Sequence, residues 1–563
     1  MTDYLLTIAT VVAINILVAL GLNLITGYAG QPHLGIGVYT SIGAYTTALL
    51  LLAGMPLLVA LVLALLGATL FGALTGLPSL RVNSDFLAVL TIGLAFVVES
   101  LYGYLPQEWF GGPLGLTEIP KPQLLGVQFG SGAMLGMAGI FVLAGIAFNR
   151  LLAKSWLGLA WRSVREDELA SRVMGNSTAR IKVIAFAIGA GYCGVAGFLY
   201  AQFMGSVSPS DFGFLPSLFV VTTIMLGGVG TIRGPVLGAI LLGILPELFR
   251  FVQEYRNLIY GSLLVGVMLY QPSGLLGDES LLWRSLGDRR WRPRRREPDI
   301  SLMPSVAVSA AMRGSEALTS LEVRDVSISF GGLKALDAVS LTVAPGRVLG
   351  VIGPNGAGKT SLFNIISGVL RPTGGTIRLN GEPIQGLRPD AISQLGIGRT
   401  FQIVRPFQNL SVLENVLVAY GAKHYMRPLA CVRKYMDGAA VDAAMQLLAS
   451  TGLQGHAHLA ARTLPLGLQR RLEIARILAL DAQVLLLDEP FSGLSAEEAD
   501  SQKKLVLELK RQGRAIVLIE HNMEIAVDLC DWFVVLNFGR QIAEGVPSEV
   551  CENPMVIEAY LGK

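Results

Sequence analysis

Gly353-Pro354-Asn355-Gly356-Ala357-Gly358-Lys359-Thr360 has the spacing G-x-x-x-x-G-K-T and follows the apolar run 348–352. The run predicts a buried strand, the glycines a tight turn, and the residues from Lys359 onward the start of a helix. Such a turn aims successive backbone N–H groups at phosphate oxygens, and the helix N-terminus adds the positive end of its dipole. Lys359 is placed to reach the β- and γ-phosphates and the Thr360 hydroxyl to hold Mg²⁺, with Ser361 following in the same helix start. A nucleoside triphosphate with its metal ion is the expected ligand of residues 353–361.

After this cradle, strand-like and helical runs alternate to the C-terminus, which predicts an α/β domain with a mainly parallel sheet. The buried run 484–487 ends in Asp488-Glu489. Phosphoryl transfer needs charge neutralisation and a positioned nucleophile, so Asp488 is expected to hold Mg²⁺ and Glu489 to orient and deprotonate the attacking water. Gln402, in the loop 399–402, is expected to touch metal and water. His521, after the apolar run 515–519, is expected to reach the γ-phosphate.

The first half of the chain has another composition. Of 563 residues, 52% are hydrophobic and only 15% charged, and the apolar surplus lies before residue 272, which excludes an ordinary soluble protein. Nine runs are candidate membrane spans: 5–26, 34–53, 56–77, 86–105, 133–148, 183–204, 214–229, 235–251 and 258–270. The first, as a helix, extends roughly 33 Å at ~1.5 Å per residue, against a hydrocarbon core of ~30 Å. No basic residue precedes it and no small-residue cleavage pattern follows, so it is expected to stay as an anchor. Arg150, Lys154, Arg162, Arg165, Arg172, Arg180 and Lys182 cluster in one loop, whereas the loop 106–132 carries only Lys121, so the basic loop is expected to be cytoplasmic. Four spans separate it from residue 272, which puts the phosphate cradle on the same side.

The stretch 283–297, WRSLGDRRWRPRRRE, lies beside the expected membrane exit. It is expected to meet anionic lipid headgroups rather than nucleic acid. The net charge of +3 implies no further partner, and Cys193, Cys431, Cys530 and Cys551 have no metal-ligand spacing and are expected to be reduced thiols. Domain boundaries follow: a transmembrane domain at 1–275, a basic linker at 276–316 and the nucleotide-binding domain at 317–563.

The ordered set of cradle, Gln402, Asp488-Glu489 and His521 resembles the ATPase domain of ABC transporters over residues from about 321 to 563. The resemblance implies ATP as the nucleotide, Phe330 as the side chain stacked on adenine, Gln402 as the Q-loop glutamine, Glu489 as catalytic base and His521 as switch histidine. The family signature, usually L-S-G-G-Q, corresponds to Leu464-Pro465-Leu466-Gly467-Leu468, with Gly467 expected to meet nucleotide. Pro465 stands where the serine is usual, and Ser495 where an aspartate is usual. Two such domains close face to face, so a second ATPase chain or a second copy is implied.

In the apolar half, 23–31 (NLITGYAGQ), 42–45 (IGAY), 226–235 (LGGVGTIRGP) and 163–175 resemble permease subunits of branched-chain amino acid importers, the last being the cytoplasmic coupling segment. The runs 469–476 (QRRLEIAR) and 557–562 (IEAYLG) resemble the ATP-binding subunit of the same importers. The chain is thus identified as a polytopic α-helical permease followed by an α/β P-loop ATPase of the ABC type, fused in one polypeptide of the cytoplasmic membrane. A second permease chain and an extracytoplasmic solute-binding protein are the implied partners. Pro32-His33 departs from the family's usual Leu-Ser, so import of urea or short amides is the alternative. An exporter half-transporter fits less well, because the loops are short. A mechanical or regulatory ATPase would have fewer spans and a large extracytoplasmic domain.

Three features of the apolar half carry separate expectations. Gly191, Gly194 and Gly197 recur every three residues and are expected at close helix contacts. Glu99 stands inside a span, where a carboxylate usually faces a bundle interior or an aqueous path, with Asn15, Asn23 and Tyr45 as weaker polar candidates. The mixed charges of 162–180 are expected to dock on the ATPase.

Overall fold

The computed structural model describes residues 2–124, 127–248, most of 261–277, 320–425 and 430–561. Part of the expected ninth span, 258–270, and most of the basic linker fall outside them. The chain forms two compact units, Met1–Arg165 with Thr178–Arg296, and Glu166–Ser177 with Glu297–Lys563.

The first unit is helical. Its main helices are α1 (Thr2–Leu22), α2 (Gly37–Leu52), α3 (Leu57–Gly76), α4 (Ser84–Tyr104), α5 (Ser131–Ala153) and α6 (Trp156–Glu166). After the short α7 (Glu168–Val173) come α8 (Thr178–Met204), α9 (Phe214–Gly227) and α10 (Arg233–Leu248). Among the described residues, six helices are long and apolar enough to cross a membrane. The expected span at 34–53 appears as a shorter apolar helix, because the glycine- and proline-containing stretch before it is drawn into a turn, and among the described residues that at 235–251 appears as the apolar helix α10, which starts at Arg233. Helix α1 ends in a π-helical turn, Asn23–Tyr28.

Small residues set the packing. On α3, Ala60, Ala64, Ala68, Gly72 and Gly76 are buried at intervals of four, while Leu58, Val62, Leu66, Leu70 and Leu74 are exposed on the other side. This is the reverse of a water-soluble helix and suits a lipid surround, where close backbone approach rather than hydrophobic burial drives helix association. The expected glycine contacts lie here. A side chain at Gly194 would meet Ala64 O at 2.7 Å, and one at Gly197 would meet Ala44 N at 2.6 Å, so α8 packs tightly on α3 and α2. The membrane candidates α1 and α8 are 61% and 67% buried, against 17% for α4 and α5, which makes α1 and α8 the centre of this unit.

The second unit is α/β. Its strands are β1 (Leu321–Phe330), β2 (Leu333–Val343), β3 (Val348–Ile352), β4 (Gly374–Leu379), β5 (Ile397–Arg399), β6 (Val484–Asp488), β7 (Ala515–Ile519), β8 (Trp532–Asn537) and β9 (Arg540–Gly545). A six-stranded sheet has the order β9-β8-β3-β7-β6-β5, parallel except at β9, and β2-β1-β4 form part of a second, antiparallel sheet. Strands β3, β6 and β7 are buried at every residue, as expected of parallel strands covered on both faces. In register, Ile519 lies beside Val351 and Asp488. The carboxyl ends of three strands thus meet at one edge, where ligands of such sheets bind.

Candidate functional site

The cradle forms at the end of β3 and opens α11 (Lys359–Ile366). Gly356 and Gly358 have φ of +83° and +103°, which side chains rarely adopt, so the turn needs glycine there. Asn355, Gly356 and Thr360 are exposed and leave the rim open, while Ala357 and Lys359 are buried, and Ser361 is half-buried in the first turn of the helix. Lys359 donates from Nζ to Gly353 O at 2.6 Å and Pro354 O at 2.9 Å. Its ammonium is therefore held over the loop, and burial lowers its pKa.

Asp488 ends β6 with 1% exposure, and neither carboxylate oxygen has a hydrogen-bond partner. Burial pushes its pKa up to about 6 against the pull of Arg399 Nη2, 3.8 Å away. A buried acid with both oxygens unpaired fits a divalent cation, which explains why such an expensive group is kept. Glu489 follows with φ +47°, a strained backbone for a non-glycine residue of the kind found at functional sites. Its carboxylate accepts from Gln402 Nε2 at 3.1 Å and lies 3.7 Å from His521 Nδ1. Gln402, Asp488, Glu489 and His521 come together at the sheet edge with the cradle. Phe330 stands half-exposed at the end of β1.

Gly467 belongs to another surface, at the start of α14. The longer helices between α11 and it are α12 (Val412–Tyr420) and α13 (Gly438–Ser450), and α14 itself spans Leu466–Ala479. Pro465 is its N-cap and offers no side-chain cap. A side chain at Gly467 would meet the carboxylate of Glu498. The serine at 495 also has a local reason. It caps α15 (Ala496–Arg511) in a reciprocal pair, Glu498 N–H donating to Ser495 Oγ and Ser495 N–H to Glu498 Oε2.

Several residues were not singled out in sequence. Arg399, 3% exposed, donates to Asn364 Oδ1 and Ser367 Oγ at 2.7 and 2.8 Å and faces Asp488. Glu520 accepts the N–H groups of Phe491, His521 and Asn522 and so fixes the turns around both chemical groups. Tyr560, on the C-terminal helix α16 (Pro554–Leu561), accepts the Gly353 N–H at 2.8 Å. The sequence signal for these was weak, since each depends on contacts distant in the chain.

The QRRLEIAR run acts through its charged residues. Arg470 donates to Phe401 O and Gln402 O at 2.9 and 2.7 Å, Glu473 accepts the Arg405 N–H at 3.1 Å, and Arg476 donates to Arg405 O at 2.6 Å. Burial pushes the Glu473 carboxyl up to about 7. Arg405 also pairs with Asp167 at 3.0 Å, Asn409 N–H donates to Glu166, and Gln394 donates to Gly175 O at 2.8 Å. The segment 166–177 is thus part of the ATPase unit, joined through Arg405 and α14 to Gln402 and Glu489. Arg165, expected to dock with it, instead donates to Gly27 O in the helical unit, and Glu168 bonds Arg172 one turn on. Glu166 and Asp167 are carboxylates of this segment that meet the ATPase fold.

In the helical unit, the stretches 23–31 and 226–235 meet. Asn23 donates to Thr231 O and accepts the Gly230 N–H, both at 2.8 Å, so it ties helices together. Tyr45 stacks on Tyr102 with centroids 4.0 Å apart, Asn15 is half-buried, and His33 bonds Tyr39 OH at 3.0 Å in the buried interior. The four cysteines are free thiols, and among the described residues no cluster of His, Cys, Asp or Glu is arranged to hold a metal by itself.

A phosphate cradle followed by acid, base and histidine on adjacent strand ends, joined to a helical membrane unit, defines an ATP-dependent transport protein. Known families agree. Residues 4–270 match the permease component of branched-chain amino acid transport systems, 336–492 the ABC transporter ATPase, and 540–563 the branched-chain amino acid ATP-binding cassette transporter. The ATP-binding protein BraF of Pseudomonas aeruginosa is 42% identical over 249 residues, covering 43% of this chain and 98% of BraF. LivG of Escherichia coli, another high-affinity branched-chain amino acid transport ATP-binding protein, is 40% identical over 250 residues and 98% covered. The permease LivM of Escherichia coli is 40% identical over 295 residues, 48% of this chain and 69% of LivM. The chain belongs to the branched-chain amino acid transporter family of ABC proteins, with permease and ATPase in one polypeptide. It is an integral membrane protein that binds ATP and couples its hydrolysis to transport.

Proposed function

We propose that this chain imports branched-chain amino acids across the cytoplasmic membrane, working with a second permease and ATPase (or a second copy of itself) and an extracytoplasmic solute-binding protein. The observation that carries this reading is that both halves of one chain resemble components of the same import systems. The cluster of basic residues around 150–182 supports a cytosolic ATPase.

At the ATP site, the cradle 353–361 holds the phosphates and Phe330 the adenine, while Lys359 leaves its carbonyl partners for the β/γ-phosphates. Asp488, Thr360 and Gln402 would hold Mg²⁺, which when bound would neutralise charge developing on the γ-phosphate. Glu489 takes the proton of the attacking water, oriented by Gln402, and His521 donates toward the γ-phosphate. Gly467 and its signature helix cap the partner's cradle, where Pro465 supplies neither hydroxyl nor N–H. The site on this chain's own cradle is therefore the working one. Closure reaches the permease through Arg405 and the docking residues Glu166 and Asp167.

Import of urea or short amides is the second reading, favoured by the unusual Pro32-His33, of which His33 is buried. The test is uptake by the complex purified through this chain and reconstituted with its binding protein. Leucine, isoleucine or valine should enter with ATP and be displaced by one another; uptake of urea or acetamide alone would overturn the amino acid reading.

A further inference from the structure

Arg399 is buried at the end of β5, where an uncompensated charge is costly. Its guanidinium is engaged on two sides. Nη1 donates to Asn364 Oδ1 at 2.7 Å, within α11, and to Ser367 Oγ at 2.8 Å, the C-cap of the same helix. Nη2 faces Asp488 Oδ2 across 3.8 Å. The rings of Phe363 and Phe401 lie with centroids 6.0 and 5.6 Å from Cζ, close enough for cation–π contact. Because the guanidinium is planar and rigid, two bonds on Nη1 fix where Nη2 points.

These contacts join the two elements that carry the expected metal ligands. Asn364 stands four residues after Thr360, on the same face of α11, and Asp488 ends β6. The separation from Asp488 matters as well. At 3.8 Å, Arg399 supplies opposite charge without donating a hydrogen bond, and neither carboxylate oxygen has another hydrogen-bond partner. The lone pairs are left for a cation while the buried charge is balanced. Thr400, the next residue, accepts the Asp488 N–H on its Oγ1 at 3.0 Å, so residues 399–400 hold both the backbone and the side chain of the aspartate.

We propose that Arg399 is a positioning residue of the metal site, bracing the Asp488 carboxylate against α11 so that Asp488 and Thr360 meet one divalent cation together. The inference rests on the ATP-site reading proposed above and names the residue that sets the metal affinity of that site. Arg399 acts through Asp488 and not by contact with the cation. A lysine in its place keeps the charge but loses the fork that ties Asp488 to α11.

The test is binding of a fluorescent ATP analogue by the purified complex, with Mn²⁺ and in EDTA, read at the site that Lys359→Ala removes. The ratio of the two affinities reports the metal. Arg399→Lys should lower that ratio about 10-fold, the usual cost of losing a contact that orients a metal ligand, while the affinity in EDTA stays within about twofold. Ser367→Ala removes one anchor and keeps Arg399; it should lower the ratio about 3-fold, and it decides the matter if Arg399→Lys does not assemble. A wild-type ratio in the deciding variant overturns the positioning role, as does an equal loss with and without Mn²⁺. Asp488→Asn keeps the two levels apart: a wild-type ratio there would overturn the metal-site reading itself, whereas a lost ratio there with a wild-type ratio in Arg399→Lys would overturn only the role of Arg399.

Discussion

In the helical unit alanines and glycines are inside and leucines outside, as on α3; in the ATPase unit Leu485, Leu486, Val517 and Leu518 are inside, and charge covers helices such as α15. The two units solve the same packing problem in different solvents. In water, burying large aliphatic side chains is itself the driving force. In lipid that force is absent between helices, so small residues and a few side-chain clamps, such as Asn23 on residues 230–231, hold the helices together.

The largest effect should come from chemistry. Glu489→Gln keeps size and removes the base, so ATP turnover of the complex should fall ~10²-fold or more, whereas Pro465→Ser should change it far less. A Glu489→Gln complex with near wild-type turnover would place the working site elsewhere.

Packing substitutions then separate the two solvents. Leu486→Ala empties a core position of β6 and should cost ~2–5 kcal/mol in unfolding of the ATPase unit. In the helical unit the harmful change runs the other way. Gly194→Leu forces a side chain against α3 and should cost ~1–3 kcal/mol or more, while Leu66→Ala on the exposed face should cost under ~0.5 kcal/mol. Thermal unfolding in detergent measures both, and a larger loss from Leu66→Ala than from Gly194→Leu would break the comparison.

The ATPase interior has its own liability in Glu473. Its folded pKa, about 7, lies above the ordinary 4.5, so the folded state holds a proton that the unfolded state has released. That contribution is fully present below about pH 4.5 and is lost as pH rises through about 7. Between pH 5.5 and 8 the wild-type melting temperature should fall by several degrees, a loss of at most ~3 kcal/mol. Glu473→Gln should flatten that dependence, and an unchanged slope would assign it to other groups. The smallest effect is expected at Tyr560→Phe, which removes one bond to the cradle and should raise the KM for ATP ~2- to 10-fold, as measured by steady-state hydrolysis.

What the sequence reveals follows the same division. Local chemistry is legible: the 353–360 turn, the acids after a buried strand and the glycines at intervals of three all stand where spacing puts them, because each depends on neighbours in the chain. Long-range pairing is not. Arg399 beside Asp488, Tyr560 on Gly353 and Glu473 beneath Arg405 depend on strand order and helix packing, and nothing near them in sequence marks them. That Glu166 and Asp167 within 162–180 meet Asn409 and Arg405 is not legible either, because a helical loop of mixed charge does not reveal which face it presents. The run 34–53 begins three residues too early because a proline- and glycine-containing turn precedes its helix.

The central claim is that hydrolysis at this chain's own cradle drives solute movement through segment 166–177. It is tested most directly by measuring leucine transported and ATP hydrolysed in the same proteoliposomes for complexes carrying Asp167→Arg, Arg405→Asp or both. Each single reversal opposes like charges across a 3.0 Å contact and should lower leucine moved per ATP several-fold, and the double exchange should restore most of it. Unchanged coupling in both single variants would contradict the account.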